Sequence, residues 1–207
     1  MKKTLALALA LATAPFAASG AELSYTFVEG GWNRLSVDDN SAGDPDLDGG
    51  YVRGSFDLGA GFNVIGSASR VSEDYTILGL RTDVDLTQYE LGLGYHQGVS
   101  DQVDFIAELA YNRVELDVDV NGVGSDDESV KGGRGALGLR TQFNDVVEGS
   151  LKANYYDGGD FEGTWTGVVG AQFKFSPMWG VTAEIEHGEL VSNNDDTRYS
   201  IGVRASF

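Results

Sequence analysis

The fold this sequence predicts is all-β: a transmembrane antiparallel up-and-down β-barrel of ten strands, with eight as the alternative count. Three observations predict it. Apolar and polar residues alternate in recurring stretches of about ten residues, the length a tilted strand needs to cross a bilayer. No stretch after the N-terminal region approaches the ~20 continuous apolar residues of a spanning helix, which leaves a closed barrel as the way to satisfy the backbone in lipid. The chain also ends on such an alternation, with Tyr199, Ile201, Val203, Ala205 and Phe207 set against Ser200, Gly202, Arg204 and Ser206.

Residues 1–21 read as a cleaved secretory signal peptide. Lys2 and Lys3 form its basic end, Leu5 to Ala14 its apolar run, and Ser19-Gly20-Ala21 the small residues before cleavage. Residues 22–207 then form one barrel domain. The chain has no cysteine, so a disulfide scaffold is excluded. Its formal charge of −18 repels nucleic acid and removes that class of partner. Acidity can also mean disorder, but 42% apolar residues and 29 glycines suit strands joined by turns better.

Ten strands follow in order. The first runs from about Tyr25 to Arg34, before an acidic loop from Leu35 to Gly50. The second turns Val52, Phe56, Leu58 and Phe62 outward and Arg53, Ser55, Asp57 and Gly59 inward. A tight turn near Asn63 leads to a weaker third strand, Ile65 to Ser72, with Arg70 inward and Ser67 and Ser69 outward. A second acidic loop covers Glu73 to Asp85. Strand four sets Thr87, Tyr89, Leu91, Leu93 and Tyr95 against Gln88, Glu90 and His96. Strand five sets Val103, Phe105, Ala107, Leu109 and Tyr111 against Glu108 and Asn112. The longest loop is Glu115 to Val130.

Strand six alternates Leu137, Leu139 and Phe143 with Arg134, Arg140 and Gln142, and Asn144-Asp145 turns the chain as hairpins favour. Strand seven sets Val147, Leu151 and Tyr155 against Glu148, Ser150, Lys152 and Asn154. After a short loop, Asp157 to Gly163, strand eight sets Trp165, Val169, Phe173 and Phe175 against Gln172 and Lys174. Strand nine places Glu184 and Glu186 inward, and the loop Glu189 to Thr197 leads to the terminal strand.

The outward aromatics form two belts, as at the two interfaces of a membrane barrel. Phe62, Tyr95, Phe105, Phe143, Phe175, Trp179 and Phe207 lie near the short turns; Trp32, Tyr111, Tyr155, Trp165 and Tyr199 lie near the long loops. A soluble β-sandwich would bury this face instead.

The inward positions hold the acids Glu29, Asp57, Glu90, Glu108, Glu148, Glu184 and Glu186. Beside them stand the bases Arg53, Arg70, Arg134, Arg140, Lys152, Lys174, Arg198 and Arg204. Buried charges persist when paired, so this balance predicts a lumen filled by side chains. A narrow, gated, cation-preferring conduit is the alternative. The five long loops carry 21 acids against Arg34, Arg81, Arg113 and Lys131, which makes one rim intensely negative.

Asp44, Asp46 and Asp48, followed by Gly49, fit the opening of a calcium loop, but the twelfth position is Ser55 where a bidentate Glu is required. At most weak calcium binding is expected, and no other cofactor. For hydrolysis, the candidates are the aspartate pairs Asp83/Asp85 and Asp117/Asp119 and the histidines His96 and His187, and two barrel enzyme patterns bear on them. Outer-membrane proteases carry an Asp two positions before the His, where this chain has Ile185. Lipid-A deacylases carry a Ser two positions after it, where this chain has Glu189. Neither spacing gives a general base its reach, so no enzyme is expected.

The signal, the alternation, the acidic loops and terminal Phe207 together resemble the small outer-membrane β-barrel proteins of Gram-negative bacteria. The opening Ser24-Tyr25-Thr26-Phe27-Val28-Glu29-Gly30-Gly31-Trp32 is most similar to the vesicle-associated "Ax" barrels. The resemblance implies residence in the cell outer membrane, long loops facing outside among lipopolysaccharide phosphates, and a porin-like scaffold working in adhesion, motility or biofilm and shed in vesicles. It implies as partners outer-membrane lipid, lipopolysaccharide, periplasmic chaperones and the barrel-assembly machinery, which reads Tyr199, Ile201, Val203, Ala205 and Phe207 as its signal. It further implies a monomer.

Overall fold

The alternation folds into ten antiparallel strands: β1 (Phe27–Val37), β2 (Asp46–Gly59), β3 (Phe62–Ile77), β4 (Leu80–Ser100), β5 (Val103–Val120), β6 (Gly124–Gln142), β7 (Val147–Gly158), β8 (Phe161–Lys174), β9 (Trp179–Gly188) and β10 (Asp196–Ser206). The computed structural model describes residues 23–37, 46–77, 80–120, 124–189 and 196–207; residues 1–21, expected as a signal peptide, and Asp44 lie outside them. Each strand pairs with its sequence neighbours, and β1 closes the barrel on β10 through a ladder from Phe27↔Ser206 to Val37↔Asp196. Closure leaves no edge strand, the condition for a sheet in lipid.

The outer wall within the membrane is apolar. Leu91, Leu109, Leu137, Val169 and Ile201 all stand exposed, with Trp32, Tyr111 and Trp165 on the long-loop side and Phe62, Phe143 and Phe175 on the other. At the short-turn end, Gly59, Ala60 and Gly61 all take positive φ, so the β2–β3 turn lies at Gly59–Gly61. Asn63, expected near the turn, instead faces inward in β3 and donates to Ser55 Oγ at 2.8 Å.

Two acidic stretches expected as loops are strand. β3 continues to Ile77 and β4 begins at Leu80, and β5 and β6 run on to Val120 and from Gly124. The physical reason is a change of phase at the aromatic belt. Within the membrane, β5 turns Phe105, Leu109 and Tyr111 outward and Glu108 and Asn112 inward. Beyond Tyr111 the outward positions become Arg113, Glu115 and Asp117, while Val114 and Leu116 turn inward. The alternation never stops; only the solvent outside it changes from lipid to water.

The inward apolar residues of these extensions pack together. Leu35, Leu47, Val71 and Leu86 are buried, with Val37, Val84, Val114 and Leu116 against them. Leu35 pairs with Leu47, Val71 with Leu86, and Leu86 with Leu116 across the ladders. This cluster caps the lumen at the long-loop end.

Candidate functional site in the barrel lumen

Below the apolar cap, the inward faces of the strands bring opposite charges together in four groups. Glu29 on β1 has no solvent exposure. It accepts hydrogen bonds from Tyr51 Oη at 2.5 Å, Arg53 Nε at 2.9 Å and Arg204 Nε at 2.7 Å. Arg53 reaches on to Glu184 at 2.8 Å, and Arg204 donates to Gln172 at 3.2 Å. Close packing makes this possible, since Tyr51 Oη fills the space over Gly202 where a Cβ would stand.

Arg134 on β6 is the centre of the second group. It donates to Glu90 at 2.6 and 2.7 Å, to Glu108 at 2.8 Å and to Asn154 at 3.2 Å. Lys152 stands 4.0 Å from Glu108. In the third group, Glu186 accepts from Thr166 at 2.7 Å, Asn154 at 2.9 Å, Tyr156 at 3.2 Å and Arg198 at 3.2 Å. Arg198 also donates to Gln88 at 3.0 Å. In the fourth, near the short turns, Glu148 pairs with Arg140 at 2.6 Å and with Lys174. Each carboxylate is thereby compensated, the condition for keeping charge in a confined, low-dielectric interior.

Two of the residues expected in this network lie elsewhere. Arg70 stands on the outer face, about two-thirds exposed, paired with Asp85 at 2.8 Å. β3 has the opposite facing from the one expected: Ile65, Ser67 and Ser69 line the lumen. Its outer face holds only Gly66 and Ala68 in mid-strand, so hydrophobicity pointed the wrong way. Asp57 keeps an inward position but sits exposed at the short-turn mouth, accepting from Gly59 N at 2.8 Å, with His96 Nε2 3.8 Å away.

Several buried polar residues were not anticipated. Asp196, in the stretch expected as a loop, opens β10 and is fully buried. Tyr51 and Tyr156, ligands of Glu29 and Glu186, sit on the strand alternation one step beyond the segments read as strand. The alternation, counted on through the acidic stretches, reaches all three, and Asn112 is fully buried at the inward position expected for it.

Beside the ion pairs runs a cavity of about 220 Å³, open because Ser67 and Ser69 are short where other strands carry arginine or glutamate. Arg140, in the wall of this cavity, contacts the segment before β1. The Tyr25 ring stacks on His96, centroids 3.6 Å apart and 7° from parallel, and its hydroxyl donates to Asp104 at 2.8 Å. The Arg140 guanidinium lies 5.0 Å from the ring centroid and donates to Ser24 O at 2.7 Å.

The calcium pattern meets a strand. Residues 46–50 belong to β2 and Gly49 pairs with Asn33 and Val71, so no sharp bend forms there. Asp48 and Asp46 instead take Arg34, at 2.8 and 3.4 Å, and the Arg34 hydrogen bond holds the Asp48 carboxyl below the usual aspartate range. Burial, with Asp46 and Asp48 nearby, pushes Glu73 upward. The aspartate pairs become cross-strand partners, Asp83↔Asp119 and Asp85↔Asp117. His187, four strands away on β9, bonds Thr197 Oγ1 at 2.9 Å. Of the terminal-strand set, Tyr199, Ile201 and Val203 face out, Ala205 is buried, and Phe207 N donates to Thr26 O at 2.9 Å.

Comparison with known proteins agrees with this architecture. No curated protein matches the sequence significantly. Solved structures share the fold at low identity. Ail, the attachment invasion locus protein of Yersinia pestis, solved with the heparin analogue sucrose octasulfate, has 14% identity and a TM-score of 0.50 over 88% of this chain and 97% of its own. OprG from Pseudomonas aeruginosa has 12% identity and a TM-score of 0.50 over 91% and 99%. The translocator domain of the autotransporter NalP from Neisseria meningitidis has 14% and 0.54 over 88% of each. The family model described as outer membrane protein beta-barrel domain matches residues 4–164, and the chain, a protein of the bacterial outer membrane, belongs to that family.

Proposed function

We propose that this barrel is a surface-interaction and envelope-structure protein whose acidic extracellular hairpins meet other surfaces, in adhesion, biofilm formation and membrane vesicles. The observation that carries this reading is the filled lumen. Paired ions occupy its middle and Leu35, Leu47, Val71 and Leu86 close its outer end. A hydrophobic constriction of this kind disfavours a continuous water column. The chemistry is concentrated instead on β3–β6, whose strands of 16 to 21 residues exceed the span of a bilayer.

Ail shares only the fold at 14% identity, so its attachment role supports this reading as a scaffold precedent. Its polyanionic ligand does not suit a rim as acidic as this one; a cationic partner does. The reading includes no enzyme, because His96 and His187 are each engaged away from the aspartate pairs. Lipopolysaccharide around the wall, recognition of the terminal strand by the assembly machinery with periplasmic chaperones, and a monomer complete it. Calcium at Asp46 and Asp48 would compete with Arg34 and is expected to be weak.

The cavity beside the ion pairs favours a second reading, a narrow cation-preferring conduit. Planar-bilayer recording separates the two. The surface role expects no steady conductance from barrel shown to be folded by heat-modifiable gel migration; ohmic steps from the same preparation would replace it with transport.

A further inference from the structure

The two ends of the lumen are closed by different means. At the extracellular end, every residue of the apolar cap belongs to a strand, and Leu35, Val71 and Leu86 are held in ladders on both sides. Moving one would unzip the sheet. At the periplasmic end, where a barrel of this kind keeps its short turns, Ser24–Thr26 lie outside every strand and contact Arg140 of the cavity wall. Their attachments are mostly polar. Ser24 Oγ donates to Phe207 O at 2.8 Å, Arg140 donates to Ser24 O, and Thr26 accepts from Phe207 N and Asp57 N. The Tyr25 side chain itself is held by the stack on His96, the Arg140 guanidinium over its ring and one hydrogen bond to Asp104.

Above Tyr25, Arg140 forms part of the lining of the cavity as well as the cover of the ring. Asn33, 3% exposed, lines the same cavity with its Oδ1 unpartnered among the described residues. Buried polar atoms without protein partners mark a space that polar molecules can occupy.

We propose that Ser24–Thr26 form a strap, with Tyr25 as a removable stopper, that gates the central cavity from the periplasmic side only. The cavity is therefore a periplasm-facing compartment for water and small polar solutes and leads nowhere beyond the apolar cap. This goes beyond the surface role, which needs no access to the lumen. The stopper opens locally, by breaking the Tyr25–Asp104 bond, the stack on His96 and the Arg140 contact, while the ladders stay intact.

The chain has no native cysteine, so Ser67→Cys places a single reporter in the cavity wall. In purified, detergent-folded barrel, modification by a small charged thiol reagent is slow. Tyr25→Ala is expected to speed it by about tenfold or more, because the rate follows the open population of a local opening. Tyr25→Phe, which keeps the ring and loses only the bond to Asp104, gives a smaller acceleration and serves if the alanine variant does not fold. Unchanged rates in both variants overturn the proposal. So does acceleration by Leu86→Ala, in the apolar cap, as large as that from the strap variants.

Discussion

Glu29 has no exposure and serves two arginines and a tyrosine, so it ties β1 to both of its neighbours, β2 and β10. Glu29→Ala leaves Arg53 and Arg204 with uncompensated charge, although Arg53 keeps Glu184. Removing one partner of a buried pair costs about 3–5 kcal/mol, and that loss is the expected shift in urea unfolding of the folded band. Two glycines give a matched test of close packing. A Cβ on Gly31 would stand 2.1 Å from the Ile201 carbonyl oxygen, while one on Gly135 meets nothing within 4 Å. Gly31→Ala is expected to reduce the folded fraction on heat-modifiable gels. Gly135→Ala is expected to hold or gain stability, by up to about 0.5–1 kcal/mol, the cost of glycine in a strand.

A strand in this barrel is best understood as one alternation crossing two solvents. On β4, Tyr89, Leu91 and Leu93 face lipid, while two turns of the alternation further out Asp83 and Asp85 hold the same face and Val84 and Leu86 point inward. That is why the ten strands and nine of their facings could be read from sequence, and why the extensions could not. In those stretches the acidic composition points to a loop while the spacing points to a strand. β3 failed for the converse reason: Gly66 and Ala68 give no hydrophobic signal outward, and Ile65 gives a false one inward. The ion pairs were legible as a balance of charge, but their partners were not, because closure of the barrel decides which strands far apart in sequence meet, as β2 and β9 do through Arg53 and Glu184. The extensions also carry like charges in register, Asp85↔Asp117↔Asp127. Opposed like charges weaken a ladder, and an opposite pair contributes about 0.2–1 kcal/mol. Asp117→Lys is expected to slow amide hydrogen exchange in the β4–β6 hairpins at low salt, with little change in the membrane part of the same strands.

At the scale of the molecule, charge is sorted into two regimes. Glu29, Arg134 and Glu148 are nearly or fully buried and interact over hydrogen-bond distances, where dissolved ions do not intervene. The rim carries most of the −18 formal charge in contact with water, where interactions are screened beyond a Debye length. Salt should therefore separate what the protein binds from how it stays folded. Vesicles displaying the barrel are expected to adhere to a polylysine surface at low ionic strength and to detach as the screening length falls from ~30 Å at 0.01 M to ~8 Å at 0.15 M. Across the same range, the unfolding midpoint of the barrel should stay fixed, because the lumen pairs are shielded by the wall. Vesicles with Asp117, Asp119 and Asp127 changed to Asn should adhere less at every salt concentration while keeping that midpoint. Adhesion indifferent to salt and to these substitutions would mean that the hairpins recognise shape rather than charge, and the electrostatic account of the surface role would fail.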